Sequence, residues 1–402
     1  MGRNLTLLLV LVSVLVSSCS DSKKTTLLEN ASIVGKLEKT AYGDMISLDP
    51  TLLKDSVVFP ISHFMGDIEI VKLDNRDEAL ISETAVIISE NYILTGNSSR
   101  TKTPCKLFDI KGKYIGDVGA IGQGPGEYNN IYSMQIDEKS KRIYLLPWQS
   151  DNLLVYDLLG NALEPIKLPY RANKGVFKVE GNKLTVAVIP FPNIPTVAWV
   201  QTLDGEILHE IPAGHLTTAF DFSNEIESKQ NTADMDLSFW FWPTRIDTLY
   251  HIDTDNGVLI PKFTVNFDEN NMEPHSYAEW PDYYMGNTKI IYTTSYSNNA
   301  GDTFSENVGS KNEYYIVDKK TLKGALLRIE NDYWGGNEEW PIYLFNKGYY
   351  SLNMDPGNFE EWIDKKLKSD SLKDDLRLKL TEIRKSISAD DNNYILYAKM
   401  KK

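Results

Sequence analysis

Cysteine is almost missing from this 402-residue chain, which holds only Cys19 and Cys105. A zinc site built on cysteine pairs needs more thiols than that and is excluded. Positive charge is also short. The 42 Lys and Arg face 56 Asp and Glu, giving a formal net charge of -14. No general positive field is available to a nucleic-acid backbone, so nucleic acid is not an expected partner. There is no polybasic run to hold an acidic membrane, and no Gly-x-Ser-x-Gly elbow of a serine hydrolase. After the first twenty or so residues, no apolar segment is long enough to span a bilayer. Alanine- and leucine-rich stretches are absent until near the C-terminus.

What is present begins at the N-terminus. Arg3 supplies a positive n-region, and Leu5 to Val16 form an apolar run broken only by Thr6 and Ser13. The run is too short and too N-terminal for a permanent span. It closes on Val16-Ser17-Ser18-Cys19, small residues directly before a cysteine, which is the pattern a bacterial lipoprotein signal peptidase cuts. Residues 1–18 are therefore expected to be removed and Cys19 to become an acylated N-terminus. An ordinary secretory signal with an incidental cysteine is the competing reading. Cleavage loses Arg3, takes the charge to about -15 and leaves Cys105 as the one thiol, so no intramolecular disulfide can form. The expected address is the outer membrane of a bacterial envelope, facing either the periplasm or the outside, with the membrane held through lipid.

The body of the chain repeats. An alternating apolar strand, an Asp, a tight turn with Gly and a second strand appear as Lys106-Leu107-Phe108-Asp109-Ile110-Lys111-Gly112 and Leu154-Val155-Tyr156-Asp157-Leu158-Leu159-Gly160. Trp199 to Gly205 repeats the pattern around Asp204, Leu249 to Gly257 around Asp253, and Tyr314 to Gly324 around Asp318. The Asp positions lie 48, 47, 49 and 65 apart. An Asp side chain ends a strand by accepting from its own turn, and Gly takes the positive φ that reverses the chain. Several strands per unit and a period in the forties give the length of a propeller blade. Asp109, Asp157 and Asp204 are expected in equivalent turns. A sixth blade requires both ends of the chain, Asp67 to Leu73 and Tyr394 to Met400, paired so that no edge stays open. Trp362, Leu367, Leu372, Leu376, Leu380, Ile383 and Ile387 recur at helical spacing, which predicts one or two helices inserted at 358–387. The fold expected is an all-β, six-bladed β-propeller over 56–402 with a short helical insertion near the C-terminus. Residues 19–55 would be a lipidated tether. An irregular β-sandwich is the alternative architecture.

Three segments carry a family resemblance. Gly119-Ala120-Ile121-Gly122-Gln123-Gly124-Pro125-Gly126-Glu127-Tyr128, after Phe108-Asp109-Ile110-Lys111-Gly112-Lys113, resembles a signature of the six-bladed β-propeller lipoproteins of Bacteroidetes. Arg245-Ile246-Asp247-Thr248-Leu249-Tyr250-His251-Ile252 with Leu259-Ile260-Pro261-Lys262-Phe263 resembles a second, and Asn392 to Lys401 resembles the terminal strand. That strand more often begins Asn-Pro, where this chain has Asn392-Asn393. The resemblance runs from about Ile61 to the end. It implies kinship with NHL-like and TolB-like propellers and an envelope address in a Gram-negative anaerobe, and it carries no catalytic residues.

Local chemistry signals are weak. Gly122 to Gly126 is followed by another strand and no Lys-Ser/Thr, so it reads as a crossover between blades and not a phosphate loop. His209 and His215 are six apart, without the i, i+4 spacing of a zinc helix, and Asp253 to Gly257 lacks the frame of a calcium loop. Asp268-Glu269 and Glu338-Glu339 would point to opposite faces of a strand and form no glycosidase pair. Cys105 reads as a partly buried structural thiol. No metal or cofactor is expected.

Aromatics make up 11 % of the chain, and Phe239-Trp240-Phe241-Trp242-Pro243 puts four in a row. Such rings suit sugars or peptide side chains, or they wedge between blades. Trp240, Trp242, Arg245 and, in Tyr333-Trp334-Gly335-Gly336, Trp334 are the candidate ligand-binding residues. The reading is a binding or interaction propeller of the outer envelope whose ligand is a glycan, a peptide or an envelope protein. The alternative is a glycan lyase or hydrolase with its site at the central channel, recognisable by carboxylates, or a His with a carboxylate, converging there.

Overall fold

Antiparallel four-stranded sheets are the recurring unit of the computed structural model, which describes residues 27–98, 100–232, 234–241, 248–266, 275–297, 303–370 and 372–401. Blade 1 is Val86–Ile88, Tyr92–Thr95, Cys105–Asp109 and Tyr114–Val118. Blade 2 runs from Ile131–Asp137 to Ile166–Ala172, and blade 3 from Gly175–Glu180 to Ile207–Pro212. Blade 4 runs from Glu225–Glu227 to Val258–Val265, and blade 5 from His275–Glu279 to Gly324–Asn331. Blade 6 joins Phe345–Asn346, Tyr349–Met354 and Tyr394–Lys399 to Glu69–Lys72. The protein is a six-bladed β-propeller. Its ring closes as the sequence pattern requires: Tyr394 pairs with Lys72 and Tyr397 with Glu69, antiparallel. Asp391 locks that junction, accepting from Lys72 Nζ at 2.6 Å, Tyr394 OH at 2.7 Å, Asn75 Nδ2 at 2.8 Å and Ser388 N at 2.9 Å.

The repeated turns explain the strand ends. Asp109 Oδ1 accepts from the backbone N–H groups of Lys111 and Lys113, and Asp157 Oδ1 from those of Leu159 and Asn161. In blade 3 the residue doing this is Thr202, whose Oγ1 accepts from Glu206 N at 3.1 Å while Gly205 N donates to Thr202 O. Thr202, two residues before Asp204, is thus the equivalent of Asp109 and Asp157. In blade 5 the positive φ belongs to Leu322 (+60°) and not to Gly324, which opens the next strand. Gly112 and Gly160 have a further duty. A Cβ at Gly112 would lie 2.4 Å from Lys72 O, and one at Gly160 would lie 1.8 Å from Asp117 O. Each turn is pressed against the outer strand of the preceding blade, an approach only glycine permits.

Interblade space is filled by aliphatic and aromatic side chains. Phe263 stacks on Tyr284 with centroids 4.8 Å apart, joining blades 4 and 5, and Trp280 meets Phe64 at 4.2 Å and Phe345 at 4.4 Å. Cys105 is fully buried, beyond the partial burial expected, and burial pushes its thiol up to about 12. The helical insertion lies within blade 6 as expected. Pro356–Leu367 is capped by Asp355, which accepts from Asn358 N at 2.9 Å, and Asp374–Ser386 packs back on it through Arg384 to Asp364 at 2.8 Å.

The segment read as a tether is shorter than 19–55. Gly35–Thr40 and Gly43–Leu48 form a hairpin that extends blade 4, Ile46 pairing with Phe263 in parallel. Ser56–Pro60 pairs in parallel with Gly324–Asn331 of blade 5. Its second strand ends in Ile46-Ser47-Leu48, all three buried, with Ile46 and Leu48 in the apolar cluster around Phe263. A polar composition around a single short hairpin hid it.

Candidate functional site

The inner strands converge on the axis. Ala85 and Ile87 of blade 1, Tyr132 to Met134 of blade 2, Val176 and Phe177 of blade 3, Glu225 to Gln230 of blade 4 and Asn346-Lys347 of blade 6 ring one cavity of about 320 Å³. That size is at the small end of ligand pockets.

One end is framed by a turn and a loop. Asn346 to Tyr349 is a tight hairpin whose two central residues, Lys347 (φ +50°) and Gly348 (φ +76°), both have positive φ, the geometry of a primed turn. The loop after Glu227 reaches across from blade 4: Lys347 N donates to Lys229 O at 2.7 Å and Gly348 N to Asn231 Oδ1 at 3.2 Å. Asp236 holds that loop, accepting from Gln230 N at 2.6 Å, Lys229 N at 3.2 Å and Ser228 Oγ at 3.2 Å. Burial pushes the Asp236 carboxyl up, against those donated bonds. At the other end of the inner strands, Tyr132 OH donates to Glu225 Oε2 at 2.5 Å, and Lys174 also pairs with Glu225.

Three residues that line the cavity also hold a polar atom sunk behind its wall. Ser133 Oγ, Glu227 Oε2 and Asn346 Oδ1 are buried and make no hydrogen bond, although Lys229 Nζ stands 3.8 Å from Glu227 Oε2. Each such atom costs the fold about 1–3 kcal/mol relative to a paired one. The cavity itself is lined by Glu225, Glu227, Lys229, Gln230 and Lys347, a polar set able to hold a polar guest or water.

A second polar cluster joins blades 4 and 5. His251 Nε2 contacts Glu279 Oε2, His251 Nδ1 lies 3.2 Å from Asp234 Oδ2, and Lys319 Nζ is 2.6 Å from Glu279 Oε1. Burial opposes ionisation of Glu279, but His251 and Lys319 together overcome it and hold its carboxyl below the usual range. His251 is 8 % exposed and Glu279 4 %. The group clasps two blades. Sequence reading missed it because its members are spread from 234 to 319 with no motif linking them. Among the described residues, no group of three or more His, Cys, Asp or Glu side chains is arranged to hold a metal.

The aromatic candidates separate. Phe239 and Phe241 are buried, stacked at 5.1 Å, while Trp240 is half-buried on the opposite side of the strand, as alternation requires. Trp242 and Arg245 lie outside the described residues, as does Cys19. Trp334 is 2 % exposed and meets Trp362 of the inserted helix at 5.7 Å, which makes it a core residue and removes it from any ligand surface. The helices cover it, and nothing near residue 334 in the sequence announces that cover. An exposed ring that went unnoticed is Trp148, 39 % exposed, beside Phe222 at 5.4 Å. It borders a groove of about 640 Å³ along the Gly122 to Asn130 crossover. That crossover joins blades 1 and 2 through a parallel pairing of Ala120–Ile121 with Glu127–Tyr128, the role read from its sequence.

A family model described as a domain of unknown function, DUF4934, matches residues 45–399. The chain belongs to the DUF4934 family. No curated protein is similar enough to count as a relative. Among solved structures, this DUF4934 chain is similar to a Bacteroides fragilis protein described as exported, at 15 % identity and a TM-score of 0.55, covering 86 % of this chain and 99 % of that one. It also matches a member of the DUF4221 family from Bacteroides vulgatus at 10 % identity and a TM-score of 0.40, over 84 % and 97 % of the two chains. Hydrazine synthase of Kuenenia stuttgartiensis follows at 12 % and 0.42, over 80 % and 86 %. The first is near enough in shape to bear on the fold, and the other two are not. No helix among the described residues is long and apolar enough to cross a membrane.

Proposed function

We propose that this DUF4934 chain is a lipid-anchored binding propeller of the outer envelope, and that its ligand is a small polar molecule held in the axial channel. The observation that carries the binding site is the cavity itself, ringed by five blades and lined by the polar side chains of Ser133, Glu227, Lys229, Gln230, Asn346 and Lys347. The Val16-Ser17-Ser18-Cys19 ending supports the anchor, and the exported description of the Bacteroides fragilis protein agrees with the compartment. The enzymatic alternative has the His251–Glu279 pair as its one favourable feature. A carboxylate at each ring nitrogen leaves His251 no free nitrogen for a substrate, so binding is the better reading.

Two measurements test this. Cys19→Ala should abolish palmitate incorporation and release the protein from membranes; unchanged membrane fractionation would remove the anchor. Ser133→Leu fills the cavity without adding charge. A thermal-shift screen of sugars, amino acids and short peptides should yield stabilising compounds for the wild type that lose their effect on Ser133→Leu. Hits that stabilise both proteins equally would move the site off the channel.

A further inference from the structure

The groups lining the cavity are unequal in charge. Ser133, Glu227 and Asn346 offer oxygen atoms, whereas Lys347 offers an amine that the fold has left nearly alone. Among the described residues its hydrogen-bond partner is the neutral Gln230 Oε1 at 3.1 Å. A protonated amine has three donors, so two remain for water or a guest. The surrounding charges do not fill the gap. Asp236 favours the charged amine but already accepts from Gln230, Lys229 and Ser228; Lys178 opposes it. Lys229 is committed to Glu227 and to the face of Tyr343, 5.5 Å away. Burial pushes the Lys347 amine down to about 8.

Lys347 is half-buried, and a cation drawn partly out of water with one neutral hydrogen-bond partner favours an anion beside it. Lys347 occupies a positive-φ position that would suit Asn or Gly better, and it borders the cavity. We propose that the axial cavity binds a small molecule bearing an oxyanion, a carboxylate or a phosphate, which pairs with Lys347. The inference rests on the channel being the binding site and names the chemistry of its occupant.

The test reads Lys347 directly. The full mature chain is labelled briefly with an amine-reactive acetylating reagent at pH 7.5, and acetylation at Lys347 and at exposed Lys139 is quantified by mass spectrometry. The probes are inorganic phosphate, acetate, glycerol and sodium chloride at matched ionic strength. Phosphate or acetate should protect Lys347 at least tenfold and saturably, leave Lys139 unchanged, and lose the effect about tenfold per pH unit above pH 8 as the free amine deprotonates. Which of the two protects more strongly separates phosphate from carboxylate. The same anion should raise the melting temperature of the wild type but not of Lys347→Gln, whose fold is checked by circular dichroism. Equal protection by glycerol would keep the channel as a site and overturn the oxyanion. No protection beyond that of chloride by any probe would overturn both.

Discussion

Gly160 and Gly205 occupy the same turn in successive blades, yet substituting them should cost very different amounts. Both have positive φ, +86° and +93°. An alanine in that region costs about 1–2 kcal/mol, partly offset because it restricts the unfolded chain by about 0.4–1 kcal/mol. For Gly205→Ala nothing else is added, since a Cβ there meets no atom within 4 Å. The net loss should be about 1 kcal/mol. At Gly160 the new Cβ would stand 1.8 Å from Asp117 O and 2.9 Å from Asp117 C, which are backbone atoms of the preceding blade and cannot rotate away. Relieving that overlap means sliding one blade against another, an overpacking cost of about 1–3 kcal/mol. Gly160→Ala should therefore lose about 2–4 kcal/mol. Equilibrium urea unfolding followed by tryptophan fluorescence gives both values. Losses that agree within about 0.5 kcal/mol would show that the turn conformation alone matters and that blades do not press on their glycines.

Asp391→Asn should cost about 2–3 kcal/mol at pH 7, because it weakens a buried carboxylate with four donors at the ring closure. Those contacts hold the Asp391 carboxyl well below its usual range despite burial, so its stabilisation is present above about pH 4 and disappears as pH falls through the folded-state value. The variant's urea midpoint should consequently depend less on acid than that of the wild type; parallel curves would refute the assignment. Trp334→Ala should cost about 3–5 kcal/mol as a core truncation, and a change under 1 kcal/mol in thermal unfolding would return it to the surface.

The number of blades, the way the termini meet and the helical insertion were all legible, because each is written locally as period, turn chemistry or helical spacing. Errors arose where one residue type stands in for another. Thr202 performs with a hydroxyl what Asp109 and Asp157 perform with a carboxylate, and the nearby Asp204-Gly205 pair drew attention two residues too far along. Leu322 takes a conformation normally left to glycine, so Gly324 appeared to be the pivot. The candidate site was the least legible part. Ser133, Glu227 and Lys347 belong to three blades and meet only because inner strands share an axis. Dense aromatics, by contrast, pointed to Trp334, and density of that kind mostly reflects wedges between blades. A usable signal did exist in Asn346-Lys347-Gly348-Tyr349, a tight-hairpin sequence with a lysine where a left-handed residue is needed.

The closing pair of strands also sets an order of events. Glu69–Lys72 leaves a ribosome or a translocation pore early, and its partner Tyr394–Lys399 follows roughly 320 residues later. Ser56–Pro60 likewise waits for Gly324–Asn331. Contacts this distant in sequence form late and slowly. Until the last strand arrives, blades 1 to 5 make an open arc with an unpaired edge at each end, and the ring cannot lock. For a chain proposed to cross a membrane before it works, closure of the ring is the last step, and the axial cavity is complete only once the tail is through.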